Sequence, residues 1–235
     1  MERVSNKIMA ELQKLKNDEK AKILQRFFKT GKGEYGEGDV FWGIQVPEMK
    51  RIASVHKDDQ VESVAELLSN KVHEVRFTAL QILTAKYAHR PDERRRVYEV
   101  YLANTQFINN WDLVDCSCYK IVGEHLLDKN RDILRTLAES KNLWERRISI
   151  VSTFAFIRNR EYEDTLKISE LLLHDTHDLM HKAVGWMLRE VGKRCGREKE
   201  EMFLKKHHRT MPRTMLRYSL EHFPKELRDH YMYGK

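Results

Sequence analysis

Leu143-Trp144-Glu145-Arg146-Arg147-Ile148-Ser149-Ile150-Val151 is the stretch whose reading decides the fold. A polar turn precedes it, charged residues open it, and an apolar run follows at helical rather than alternating spacing. The same order recurs along the chain. Arg76, Asp112, Arg147, Lys182 and Arg217 stand 36, 35, 35 and 35 residues apart. Each precedes an apolar stretch: Phe77 to Leu83, Leu113 to Val122, Ile148 to Phe156, Ala183 to Val191 and Tyr218 to Phe223. A period near 35 built from two helices is the signature of an α-solenoid of the HEAT, armadillo or tetratricopeptide kind. The expectation is therefore an all-α repeat domain over residues 1–235, curved, with one helix of each pair lining a basic concave face. On that face the matching residues form a row: Arg, Asp, Arg, Lys, Arg. The plainer alternative is an ordinary solvated face, against which the regular period counts.

Outward from this stretch, helical periodicity runs almost end to end. Helices are expected over residues 4–16, after the Asn17-Asp18 cap signal, and from residue 60 onward over 60–69, 72–88, 92–108, 111–127 and 131–140. They continue over 143–158, 165–174, 178–193, 199–207 and 212–223. The pattern breaks once. Thr30 to Asp39 holds four of the ten glycines, a density that opposes helix and favours turns or a short hairpin near residues 30–42. The segment reads either as a connector or as a basic, aromatic tip carrying Lys32 and Tyr35. Pro47 suits the first turn of the helix that follows.

The composition narrows the class. Hydrophobic residues make 41% of the chain and charged ones 34%, which suits a globular protein with a well-charged surface. No apolar run is long enough to span a bilayer and no secretory h-region opens the chain, so a cytoplasmic protein is expected. The three cysteines, Cys116, Cys118 and Cys195, read as reduced thiols, and Cys116-Ser117-Cys118 lacks the spacing of a zinc site. The histidines show no spacing that compels a metal. A net charge of +7 permits a polyanionic partner without demanding one.

Asn109-Asn110-Trp111-Asp112-Leu113-Val114-Asp115 carries the candidate chemistry. Trp111 and Asp115 are one helical turn apart and share a face. If the row binds DNA, Arg76, Arg147, Lys182, Arg189, Arg213 and Arg217 neutralise phosphates, and an interior carboxylate is anomalous. Asp112 reads as a cap near the start of the helix. Asp115 has no such role unless it pairs with Arg147. One use for it is stabilising the oxocarbenium-like sugar formed when an N-glycosidic bond breaks, with indole faces adding cation–π attraction. Trp144 and Trp186 could equally be core.

These residues resemble the AlkD-type DNA alkylation repair proteins, alkylpurine DNA glycosylases built from HEAT-like repeats. The resemblance rests on Gly43 to Arg51, Asn109 to Asp115, Leu143 to Val151 and His181 to Lys193, and spans residues 18–223. It implies a basic cleft for double-stranded DNA and hydrolytic excision of cationic purines such as 3-methyladenine and 7-methylguanine, without metal or other cofactor, by a monomer. It also implies that Asp115 is the catalytic carboxylate, Trp111 and Trp186 the aromatic walls, and Arg147 the arginine beside the lesion. Phe27 matches the aromatic residue of the N-terminal helices. Lys29, Lys32 and Arg146 join the DNA-contact candidates. Two departures stand out: phenylalanine where the family pattern has tyrosine, and the glycine-rich insert. They keep open a non-catalytic relative that binds branched or distorted DNA through the basic face and the insert. A protein-binding solenoid scaffold is the third reading.

Overall fold

The computed structural model describes residues 3–234. The chain divides into two compact units, Met1–Ile121 and Val122–Lys235. Both are built of helical pairs, and among the described residues there is no strand, only one isolated parallel bridge between Val40 and Val72. The expected all-α, α-solenoid-like architecture is the one observed. No helix among the described residues is long and apolar enough to cross a membrane.

The first unit contains α1 (Val4–Gln13), α2 (Asp18–Phe27), α3 (Val46–Val55), α4 (Val61–Ala65), α5 (His73–His89), α6 (Arg94–Ala103) and α7 (Trp111–Asp115). Asn17 caps α2 as expected, its side chain accepting from the Lys20 amide at 3.0 Å, and Pro47 lies in the first turn of α3. α5 is the central element: its residues from His73 to Leu83 are all buried, charged ones included. A helix covered on every side has no polar stripe, so each charge on it needs an internal partner. Lys86 donates to Glu93 at 2.8 Å. The Glu74 carboxylate accepts from the amides of Trp42, Gly43 and Ile44 at 3.0, 2.7 and 3.2 Å.

Those contacts determine the glycine-rich segment. It forms a chain of turns, not a hairpin, because its last residues are tied to α5 rather than to a second strand. The Val40 amide donates to the Lys71 carbonyl, and the His73 amide to the Val40 carbonyl. Asp39, Phe41 and Ile44 are buried. Gly43 sits at φ +77°, and a Cβ there would come within 2.1 Å of the Asn17 carbonyl oxygen. Only glycine fits that approach. Lys32 is exposed and Tyr35 half-buried, so the segment is mainly packing, with a charged outer edge.

The second unit contains α8 (Asp132–Ala138), α9 (Leu143–Ser152), α10 (Phe154–Arg158), α11 (Glu163–Leu171), α12 (Asp178–Cys195), α13 (Arg197–His207), α14 (Arg213–Ser219) and α15 (Lys225–Tyr233). Its core is aliphatic and sulfur-rich, with Ile148, Ile150, Met180, Met187, Leu204 and Met215 fully enclosed. Gly185 in α12 lets α14 approach closely: a Cβ there would lie 2.5 Å from the Met215 carbonyl oxygen. α15 lies beyond the periodic run and was not expected.

The expected helix over 111–127 is interrupted. α7 ends at Asp115, and Tyr119–Gly123 is π-helical. The cause is local. Ser117 Oγ bonds back to the carbonyls of Leu113 at 2.5 Å and Val114 at 3.4 Å, and also meets the Tyr101 hydroxyl at 2.9 Å. Back-bonding of this kind competes with the helical ladder.

Candidate functional site

α7 begins where a polar turn delivers Trp111. The Asn110 side chain accepts from the Trp111 amide at 2.8 Å and is fully buried. Trp111 itself is half-buried. Its ring stacks on Phe28 at 5.3 Å, Phe28 on Phe41 at 5.1 Å, and Phe41 on His73 at 4.5 Å. The adjacent phenylalanines at the end of α2 divide the work. Phe28 is buried in this column, while Phe27 is 61% exposed and meets Trp111 edge-on at 6.0 Å. Phe27 and Trp111 together make an open aromatic corner. Lys29, exposed and left-handed at φ 51°, follows directly.

Beneath the column lies a buried polar cluster. His73 bonds Asp112 through Nε2 at 2.8 Å and Asp39 through Nδ1 at 3.2 Å. Arg76 donates to Asp39 at 2.7 Å, to the Asn109 side chain at 3.0 Å and to the Asn70 carbonyl at 2.7 Å. Burial alone disfavours a charged imidazole. The charge and hydrogen bond of Asp112, with the bond to Asp39, outweigh it and raise the His73 pKa to about 9, against opposition from Arg76. His73 is therefore an imidazolium at neutral pH. Burial likewise works against the Asp39 carboxylate, but His73 and Arg76 hold its pKa below the usual value.

Two expectations change here. Asp112 does not cap α7, a role taken by Asn110; its carboxylate binds His73 and the Leu113 amide. Arg76, read as a phosphate contact, is 3% exposed and spends its guanidinium on Asp39, Asn70 and Asn109, leaving no face for a phosphate.

Asp115 closes α7 and is half-buried. One turn from Trp111, it lies on the same helical face. Burial raises the Cys116 thiol, and the negative charges of Asp112 and Asp115 add to the effect.

In the second unit Arg147 is 5% exposed and donates to the Leu179 carbonyl at 2.5 Å, joining α9 to the helix that carries Trp186. Trp186 is half-buried, 6.1 Å from the Phe154 ring, whereas Trp144 is buried core. Arg146, read as a DNA contact, is bound internally: it donates to Asp175 at 2.6 Å and to the Ser140 and Lys141 carbonyls at 3.1 and 3.0 Å. Arg189 pairs with Glu221 and lies 3.7 Å from Glu190. Lys182 pairs with Asp178 at 2.7 Å. Arg213 and Arg217 are exposed.

The structural repeat has a register of its own. Arg76 binds the Asn70 carbonyl, Arg146 the Ser140 carbonyl and His181 the Asp175 carbonyl, each six residues back. The side chains of Asn70, Ser140 and Asp175 accept from the amides two residues ahead. The equivalent positions are thus 76, 146 and 181, spaced in multiples of 35. The same spacing puts Trp111 at the fourth place. Sequence reasoning missed Phe28, Asp39, Phe41 and His73. The available signal was a histidine three residues before Arg76 on one helical face, with an aspartate closing the glycine run.

Fold and site thus describe an all-helical repeat protein with an aromatic corner and a carboxylate one turn away. Residues 8–223 match the family described as DNA alkylation repair enzyme, and the chain belongs to that family. Its membership brings a role in DNA repair. Among solved structures, a predicted DNA alkylation repair enzyme from Enterococcus faecalis superposes with a TM-score of 0.67 at 18% identity, over 89% of this chain and 97% of that one. At that identity the likeness speaks for the fold. A comparison with curated proteins gives no match.

Proposed function

We propose that the protein is a monofunctional DNA N-glycosylase that removes cationic alkylated purines from double-stranded DNA. The observation that supports this most is the pairing on α7 of a half-buried indole, Trp111, with a half-buried carboxylate, Asp115, beside the exposed ring of Phe27. A positively charged purine is a good leaving group. When its bond to C1′ breaks, the electron pair goes to the purine, which departs neutral, and positive charge develops on the sugar. Asp115 stabilises that charge and orients a water. The water oxygen bonds to C1′ and its proton is released through the carboxylate. Trp111 offers a π face to the cation, worth about 0.5–2 kcal/mol. Arg147 holds α12 in place rather than meeting phosphate directly. Among the cations read as DNA contacts, Lys29, Lys32, Arg213 and Arg217 are the exposed ones, and phosphate neutralisation by them would make affinity fall with salt.

The test is release of base from methylated duplex DNA by the wild-type chain and by Asp115→Asn. The expected loss is about a hundredfold or more in rate. Equal release by the two proteins overturns the proposal.

A further inference from the structure

We propose that His73 is a positioning residue for the reaction proposed above: through its bond to Asp112 it sets the direction of α7, and so where Trp111 and Asp115 stand. Its consequence in rate rests on the glycosylase reading. Its cause rests on geometry within the first unit, to which all four residues belong.

α7 carries the two groups assigned to the chemistry at its ends, Trp111 at its start and Asp115 at its close, and it is five residues long. A helix of one turn does not hold itself. The π-helical stretch at Tyr119–Gly123 breaks its continuity with the chain beyond. The direction of α7 must therefore come from tertiary contacts. Asp112, next to Trp111 in the chain, supplies one of them. One of its carboxylate oxygens accepts from the Leu113 amide at 2.8 Å, and the other meets His73 Nε2 at 2.8 Å. The carboxylate is thus a bridge from the backbone of α7 to α5, and a displacement of His73 moves the helix rather than a free side chain.

His73 is a fixed point at the start of α5, 2% exposed. Its amide donates to the Val40 carbonyl at 2.9 Å, and its ring lies against Phe41 and Phe28 at 4.5 and 5.0 Å. Its second nitrogen, Nδ1, meets Asp39 at 3.2 Å, and Asp39 is held in turn by Arg76 at 2.7 Å. A neutral imidazole has one N–H and one lone pair. A ring with a carboxylate at each nitrogen needs both N–H groups, and the pKa raised to about 9 agrees with that need. Both bonds are then charge-assisted, the stronger kind. Buried as it is, His73 does not touch the substrate and acts through Asp112. A misplacement of about 1 Å at a reacting group can cost on the order of a hundredfold in rate.

The experiment compares His73→Gln with His73→Asn in the full chain. Both variants lose the ring, its stacking and its charge. The glutamine amide nitrogen reaches the place of Nε2 and can donate to Asp112. The asparagine nitrogen reaches the place of Nδ1 and can donate to Asp39 instead. Single-turnover release of base from methylated duplex should be slower in His73→Asn than in His73→Gln, on the order of ten- to a hundredfold. Affinity for the same duplex should be equal in the two, because no DNA-facing group differs between them. Equal rates, a faster His73→Asn, or a difference carried by affinity overturns the proposal. If circular dichroism shows His73→Asn unfolded, Asp112→Ala is set against Asp112→Asn. The asparagine still offers an oxygen to Nε2 and the alanine none, so the alanine variant should be the slower; equal rates again overturn the proposal. If the wild-type chain releases no more base than Asp115→Asn, the glycosylase reading fails separately. The indole N–H resonance of Trp111, assigned by its absence from Trp111→Phe, then decides the positioning. It should move further from its wild-type place in His73→Asn than in His73→Gln, and equal displacement overturns the proposal.

Discussion

The turn before α5 and the turn before α9 are built to one plan, and the turn before α7 departs from it. In the first two, a polar side chain caps the backbone two residues on, and an arginine returns six residues to take the turn's carbonyl. At the corresponding place before α7 stands Trp111, whose single indole N–H makes no bond back to the turn. The difference teaches where this chain can afford a functional surface. A position that must hold its own turn is buried and satisfied. A position relieved of that duty can stay half-open. The turn at α7 is held instead from outside, by the His73–Asp112 bond below and the Phe28 ring beside it.

The comparison can be broken most directly at Asp39. Its carboxylate is buried between His73 and Arg76, so Asp39→Ala leaves Arg76 without its charge partner and should cost about 3–5 kcal/mol in urea denaturation. A cost below about 0.5 kcal/mol, ordinary for a surface change, would mean that the cluster does not hold the turn. Arg146→Ala tests the second turn. It removes bonds to buried Asp175 and to two carbonyls, and should destabilise by about 2–4 kcal/mol.

The third test is pH. Because the folded-state pKa of His73 is raised from 6.5 to about 9, its contribution is fully present below about pH 6.5. It is lost as pH rises through about 9, and amounts to on the order of 3 kcal/mol. Thermal unfolding followed from pH 7 to 10 should show this loss, and His73→Gln should flatten it. An unchanged slope in the variant would assign the alkaline loss elsewhere. Smaller again is Trp111→Arg, which installs the guanidinium of the other turns. Losing the stack on Phe28 should cost about 0.5–1.5 kcal/mol, while base release falls far more. Phe27→Ala should leave stability within about 0.5 kcal/mol, because its ring is mostly exposed. Its effect should appear in DNA affinity instead.

Periodicity made the helices legible, since an apolar stripe every 3.6 residues survives any rearrangement of the charges between stripes. The 35-residue spacing was legible for the same reason, although aligning Arg147 and Lys182 with Arg76 was one residue out. What sets the register is a hydrogen bond from a side chain to a carbonyl, and a carbonyl leaves no mark in the sequence. The fates of Arg76 and Arg146 were hidden for a related reason. A cation at the start of a helix reads the same whether it faces solvent or a buried aspartate dozens of residues away. The packed role of residues 30–45 was only half visible. Glycine density announced turns, but the anchoring carboxylate, Glu74, lies about thirty residues downstream. α15 escaped because it follows the last periodic stretch.

The way α2 is attached has a consequence for motion. None of its ten residues is fully buried; it is held mainly by what adjoins its two ends, Asn17 against Gly43 and the Phe28 ring in its column. Segments with so little enclosed surface open locally at a free energy below that of global unfolding. Amides of α2 should therefore exchange with deuterium well before those of α5, as a flap released from a rigid wall. Clamping Phe28 tighter would slow that release without touching the rest of the molecule.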